Sequence, residues 1–250
     1  MGVNNSIRPQ AQKGMTDKTV EYKCGEETVK LSPAIIRNYL VNGNGNVTDQ
    51  EVVMFLNLCR FQHLNPFLRE AYLIKFGNQP ATIVTGKDAI IKRAYRNPKF
   101  AGQQAGVVIF HPESGELEYR NGSLLMTNEQ LVGGWAKVYV KDYEVPIEAV
   151  VSYQEYVGVK NDGSVNGQWA KKPATMIRKV ALVQALREAF PEDLGGLYAS
   201  EEMNIELDET ATAAPIEIPQ QDAQQEAPQE MWSEQLMPEQ QTTMEELQGF

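Results

Sequence analysis

Cations at helical spacing are the residues of this chain best suited to chemistry. Between positions 87 and 96 the apolar residues Ile90, Ile91, Ala94 and Tyr95 fall on one helical face, and Lys92, Arg93 and Arg96 fall on the opposite one. Lys87 precedes this stripe and Lys99 follows it. Such a row neutralises phosphates. It is equally what a solvated helix face looks like, and for a single helix that second reading is the commoner one.

A second group is less ordinary. Residues 173–190 read as a long helix whose apolar positions (Met176, Ile177, Val180, Leu182, Val183, Leu186, Phe190) cover nearly the whole circumference. A helix apolar all round is buried, yet this one carries Arg178, Lys179, Gln184 and Arg187, and Lys171 and Lys172 precede it. A buried cation needs a carboxylate, a carbonyl or a ligand anion beside it. Thr175, Arg178 and Lys179 share one arc of about 100°, with Gln184 and Arg187 roughly opposite. Either that arc faces a nucleic-acid groove, or the cations pair internally with Glu148, Glu155 and Glu188; periodicity alone leaves both open. Aromatic rings offer stacking surfaces for bases at Phe67, Tyr72, Tyr95, Trp135, Tyr139, Tyr153, Tyr156 and Trp169, although most are core at this spacing. Trp169, in a polar loop beside Lys171 and Lys172, is the best candidate.

Catalytic readings fare poorly. Gly86-Lys87 lacks the rest of a nucleotide-binding loop, which requires Gly at 81 and Ser or Thr at 88; the chain has Ala81 and Asp88. The two histidines, His63 and His111, sit in unrelated contexts, so no His/Cys metal site is expected. Residues 42–46 lack the carboxylates of a calcium loop. No compact Asp/Glu motif points to a magnesium-dependent nuclease, but scattered carboxylates keep that alternative open.

The strands and helices that must position these residues are segregated rather than strictly alternating. Residues 20–22 and 28–31 read as a hairpin about Gly25, and Ser32-Pro33 opens a helix to Leu40. Residues 42–46 read as a Gly/Asn loop. Thr48 and Glu51 have capping-box spacing before an apolar helix, 52–61, that ends ahead of Pro66. Strands are predicted at 70–76, 81–85, 105–110, 116–119, 135–140 and 145–152, with a helix at 87–96 and a loop at 161–167. The class is α+β: an antiparallel sheet with hairpins packed against several helices, one of them long and buried near the end of the core. Residues 1–18 read as a flexible arm, 19–203 as the core, and 204–250, rich in Gln, Glu, Pro, Thr and Ala, as a disordered acidic tail.

Charge divides the same way. The last basic residue is Arg187: up to it, 23 cations meet 17 acids, a net +6, and beyond it 16 acids meet no cation. A basic body suits a polyanion, and a tethered acidic tail competes for the same surface. Two cysteines, Cys24 and Cys59, fit a reducing cytosol rather than a disulfide scaffold. No apolar run is long enough to span a bilayer, so no membrane association is expected.

Three segments carry a family resemblance: residues 64–72 (LNPFLREAY), residues 84–102 with Gly86-Lys87-Asp88 and Phe100-Ala101-Gly102, and residues 169–198, from Trp169-Ala170-Lys171-Lys172-Pro173 through Arg178-Lys179 to Gly195-Gly196-Leu197-Tyr198. In order and spacing the chain resembles the phage recombination protein Bet family, the lambda Red beta group of RecT-like single-strand annealing proteins. The resemblance implies a phage or prophage protein of the bacterial cytoplasm that binds single-stranded DNA and anneals complementary strands without ATP. It implies rings or helical filaments, DNA in a continuous basic groove, and a 5′-to-3′ exonuclease as partner, with the host single-strand-binding protein as a further one. Groove contacts carry over to Arg178 and Lys179 first and to Lys172, with Lys171 adjacent. Lys87, Lys92, Arg93 and Arg96 join them by position and basic face. No nucleotide cofactor is expected, and the need for magnesium is left open. Where lambda Red beta carries a folded C-terminal partner-binding domain, this chain has a short acidic stretch, with residues 231–237 and 244–250 as candidate docking motifs or an inert tail. A strand-protecting protein that does not anneal is the alternative of a different class.

Overall fold

The structure, a computed structural model of the chain, describes residues 18–160, 162–203 and 205. The arm expected at 1–18, save its last residue, and the tail from 206 with both docking motifs, lie outside the described residues. The chain begins with the expected hairpin, β1 (Val20–Cys24) against β2 (Glu27–Leu31), which buries alternate residues Tyr22, Cys24, Val29 and Leu31. Ser32 caps α1 (Pro33–Ile35), its Oγ accepting from the Ile35 N–H at 3.2 Å, and the helix widens into a π-helical turn over Ile36–Leu40.

The first departure from the sequence reading follows. The Gly/Asn loop begins as a strand, β3 (Val41–Gly43), paired in parallel with β4 (Ala71–Lys75), while β5 (Thr82–Thr85) pairs antiparallel with β4 on its other side. Gly43 is what allows this approach: a Cβ there would lie 2.2 Å from the Lys75 carbonyl oxygen. Between β3 and β4 runs α2 (Asp49–Phe61), closed by the expected capping box. Thr48 Oγ1 accepts from Glu51 N–H at 3.3 Å, and the Glu51 carboxylate accepts from Thr48 N–H at 2.8 Å. Its Val52, Phe55, Leu56 and Cys59 recur every three or four residues and are buried.

After α3 (Lys87–Arg96) comes an antiparallel four-stranded sheet, ordered β7-β6-β8-β9, from β6 (Phe100–His111), β7 (Glu116–Asn121), β8 (Gln130–Val140) and β9 (Ile147–Ser152). Short helices α4 (Tyr153–Tyr156) and α5 (Gly167–Lys171) lead into the long α6 (Pro173–Ala189), and α7 (Pro191–Leu194) follows.

Helix α6 is the centre of the core. It lies against β6, β8 and β9 on one side and meets α3, α5 and α7 on others, which explains its all-round apolar sequence. Each of Ile177, Val180, Val183 and Leu186 is fully buried, worth about 1.5–3 kcal/mol per side chain. The helix seats tightly because β8 offers Gly134 beneath it: a Cβ there would come within 2.5 Å of the Ile177 carbonyl oxygen. Beyond α7 the chain turns back. Thr85 N–H donates to the Tyr198 carbonyl at 2.8 Å, a parallel bridge joins Thr85 to Ala199, and Ile205 packs against the patch of Tyr72, Ile74 and Val84.

Candidate nucleic-acid interface

Four cations from three parts of the chain converge on one open cleft of about 450 Å³: Arg69 after the 3-10 turn Pro66–Leu68, Lys87 and Lys92 on α3, and Lys179 on α6. Arg69 is held there in the left-handed region at φ 59°. Tyr72, Gln168 and Met176 line the walls, and Gln168 Oε1 is buried without a hydrogen-bond partner among the described residues, an acceptor that a base edge or a water would satisfy.

Each lysine of the cleft has a carboxylate beside it: Asp88 at 2.9 Å from Lys87, Glu70 at 2.8 Å from Lys92 and Glu201 at 3.0 Å from Lys179. These pairs differ in kind. Asp88 is 91 % exposed and free to swing away at little cost. Glu70 is fixed, accepting from the Asn65 N–H at 2.9 Å as well as from Lys92. Burial raises the Glu70 pKa, but the Asn65 N–H and the Lys92 ammonium outweigh it and leave the group below its ordinary value.

A second cleft, of about 390 Å³, adjoins the first through Glu70, Ala89 and Lys92 and is lined further by Lys23, Gln62, His63, Arg93 and Arg96. Arg93 is anchored by donating to the Gln62 carbonyl, and burial draws its pKa down. Of the residues singled out in the sequence, Lys87, Lys92 and Lys179 thus meet in the first cleft, and Lys92, Arg93 and Arg96 in the second.

The other basic candidates lie elsewhere. Arg178 lines neither cleft; its Nε donates to the Ala105 carbonyl on β6 at 3.1 Å, so the arc it shares with Lys179 is split between two environments. Lys171 and Lys172 are exposed at the start of α6, outside both clefts. Trp169 does line the first cleft, but it is only 1 % exposed, its ring packed edge-on to Tyr153 at 5.8 Å between centroids, so it offers no open stacking platform. The loop that sequence suggested there is α5, whose start Asn166 caps by accepting from the Trp169 N–H.

The internal partners of α6 also differ from those expected. Lys179 pairs with Glu201, and Arg187 with Glu202 at 2.6 Å while stacking over Tyr198, 4.5 Å from the ring centre. Both acids belong to the cation-free segment beyond Arg187, whereas Glu148 pairs with Lys137 and Glu188 accepts from Gln184. Sequence reasoning missed Arg69 and Lys23. A cation in the LNPFLREAY segment was the available signal for Arg69; Lys23 carried none.

His111, Glu118 and Glu129 come together as a cation-binding group would, but the Arg120 guanidinium sits among them, bonded to both carboxylates at 2.7–2.8 Å. Arg120 holds Glu129 down to about 2. The guanidinium thus already bridges both carboxylates.

Over 149 residues the chain is 30 % identical to an uncharacterized protein of Ureaplasma parvum serovar 3, an alignment covering 60 % of this chain and 55 % of that relative. The chain thus spans a little over half the length of the relative it matches. Residues 26–215 match the RecT family, a stretch containing the first cleft, the second apart from Lys23 and Gly25, α6 and the returning segment that bears Glu201 and Glu202. The chain belongs to the RecT family.

Proposed function

We propose that the protein binds single-stranded DNA along the basic clefts beside α3 and anneals complementary strands in homologous recombination, as a protein of the Bet, or lambda Red beta, type within its family. The observation that carries this reading is the convergence of Arg69, Lys87, Lys92 and Lys179, from three parts of the chain, on one open cleft. Two complementary strands repel because each is a dense line of phosphates. A cation-lined cleft neutralises the first strand, releases its condensed counterions and so gains salt-dependent affinity. Bases held but not read remain free to pair, so sequence recognition comes from pairing itself. Self-association into a ring or filament would join short clefts into one track and make a long paired segment slow to leave. The protein would act without ATP, beside an exonuclease that exposes the strand. Among the described residues no helix is long and apolar enough to cross a membrane.

The test is to mix complementary oligonucleotides with the protein, without nucleotide, and follow duplex formation. Acceleration at modest ionic strength is expected. Slowed hybridisation would assign it to strand protection, and degraded label in magnesium would assign it to a nuclease.

A further inference from the structure

We propose that the second cleft continues the path of the same DNA strand, and that Lys23, on the first hairpin, binds a phosphate at its far end. This rests on the strand-binding reading above. The charge is the first reason. Lys23, Lys92, Arg93 and Arg96 line the second cleft against one carboxylate, Glu70, whereas the first cleft sets three carboxylates against its four cations. The richer site for a polyanion is therefore the one beyond Lys92.

Continuity is the second reason. Glu70, Ala89 and Lys92 line both clefts, so a chain leaving the first along α3 reaches the second across Lys92. The one anionic point on that path is covered: Glu70 has a side-chain exposure of 11 %, and the Lys92 ammonium bonded to it is 48 % exposed, so a passing phosphate meets the cation.

The third reason is how the cations are held. Arg93 is tied to the Gln62 carbonyl, which fixes its direction. Arg96 is exposed and has no hydrogen-bond or ion-pair partner among the described residues. The turn at Gly25 brings the hairpin to it, since a Cβ at Gly25 would lie 3.4 Å from the Arg96 guanidinium. The Lys23 ammonium, two residues earlier, donates to Thr28 Oγ1 at 2.7 Å on the protein surface, a neutral acceptor that a phosphate readily replaces. A cleft lined by both fixed and uncommitted cations holds a phosphodiester at more than one point, and β1 thereby becomes part of the binding surface.

The experiment measures affinity of the full chain for a fluorescein-labelled oligothymidylate across a salt series. Removing one phosphate-binding cation makes the slope of log K against log salt shallower by about 0.7 for a single strand. Lys23→Ala with Arg96→Ala should therefore flatten the slope by about 1.4 and weaken binding about 25-fold at 0.1 M salt. Lys30→Ala with Lys141→Ala removes the same charge outside both clefts and should leave the slope as it was, and circular dichroism checks that all variants fold. An unchanged slope in the cleft pair, while Lys87→Ala with Lys179→Ala flattens it, would confine the strand to the first cleft and overturn the inference with the strand-binding reading intact. An equal effect from the control pair would reduce it to diffuse charge. If the cleft variant binds the strand normally but no longer responds to removal of residues 206–250, the acidic segment is the occupant instead. Failure of the unaltered chain to bind any strand would defeat the underlying reading.

Discussion

Neutralising Glu201 should tighten DNA binding. Lys179 faces the first cleft already engaged by Glu201 at 3.0 Å, with side-chain exposures of 20 % and 11 %. A phosphate can use Lys179 only by displacing that carboxylate, so part of its binding energy goes into breaking an ion pair. For a pair this covered the net cost is about 1 kcal/mol, the upper end for pairs that solvent reaches. Glu201→Gln should then raise affinity about fivefold at low salt, since about 1.4 kcal/mol is tenfold. Lys179→Ala should act the other way: without this one cation, affinity falls about fivefold at 0.1 M salt. The double variant is decisive. With Lys179 gone the carboxylate has no ammonium to withhold, so Glu201→Gln should add little there. The assay is fluorescence anisotropy with a labelled single strand, analysed as a double-mutant cycle. A gain of the same size with and without Lys179 would show that Glu201 acts only through general repulsion, and a loss of affinity would show that it positions Lys179 for the strand.

Removing residues 206–250 deletes 11 acidic residues tethered to the core and should tighten strand binding at low salt, with the difference fading as salt rises; unchanged affinity would give the segment some other task. Glu51, hydrogen-bonded first by Lys75 and also by the Thr48 and Ala81 N–H groups, is held down to about 2 from an ordinary 4.5. Its contribution to stability is therefore complete above about pH 4.5 and lost as the pH falls toward 2, so Glu51→Gln should lower the melting temperature at neutral pH and flatten its dependence over that window. Gly134→Ala pushes a methyl against the α6 backbone and should cost about 1–3 kcal/mol in chemical denaturation; a neutral result would mean that the helix shifts freely over the sheet.

What the sequence disclosed follows from range. Local signals were legible: the Thr48/Glu51 capping box, the limits of α3 at Lys87 and Arg96, and the burial of α6 from its unbroken apolar surface. Strand β3 was not, because three residues carry no period and its pairing depends on a backbone approach at Gly43. Within the candidate site, the basic face of α3 was visible as a pattern, but its partners were not. Glu70 precedes Lys92 by 22 positions, and Glu201 follows Lys179 by 22, distances over which periodicity says nothing. Trp169 misled for the opposite reason: polar neighbours suggested an exposed loop, whereas the segment folds as α5, capped by Asn166, with the ring buried.

The return of the chain along β5 makes the position of any truncation matter. Cut after Ile205, the molecule keeps Glu202 on Arg187 and the Tyr198 carbonyl on Thr85. Cut a few positions earlier, after Gly196, it forfeits both: Arg187, with a side-chain exposure of 18 %, is left without its carboxylate, and the rim of β5 is uncapped. Two shortened proteins differing by nine residues would then report opposite things, one the release of a competitor and the other the loosening of a scaffold.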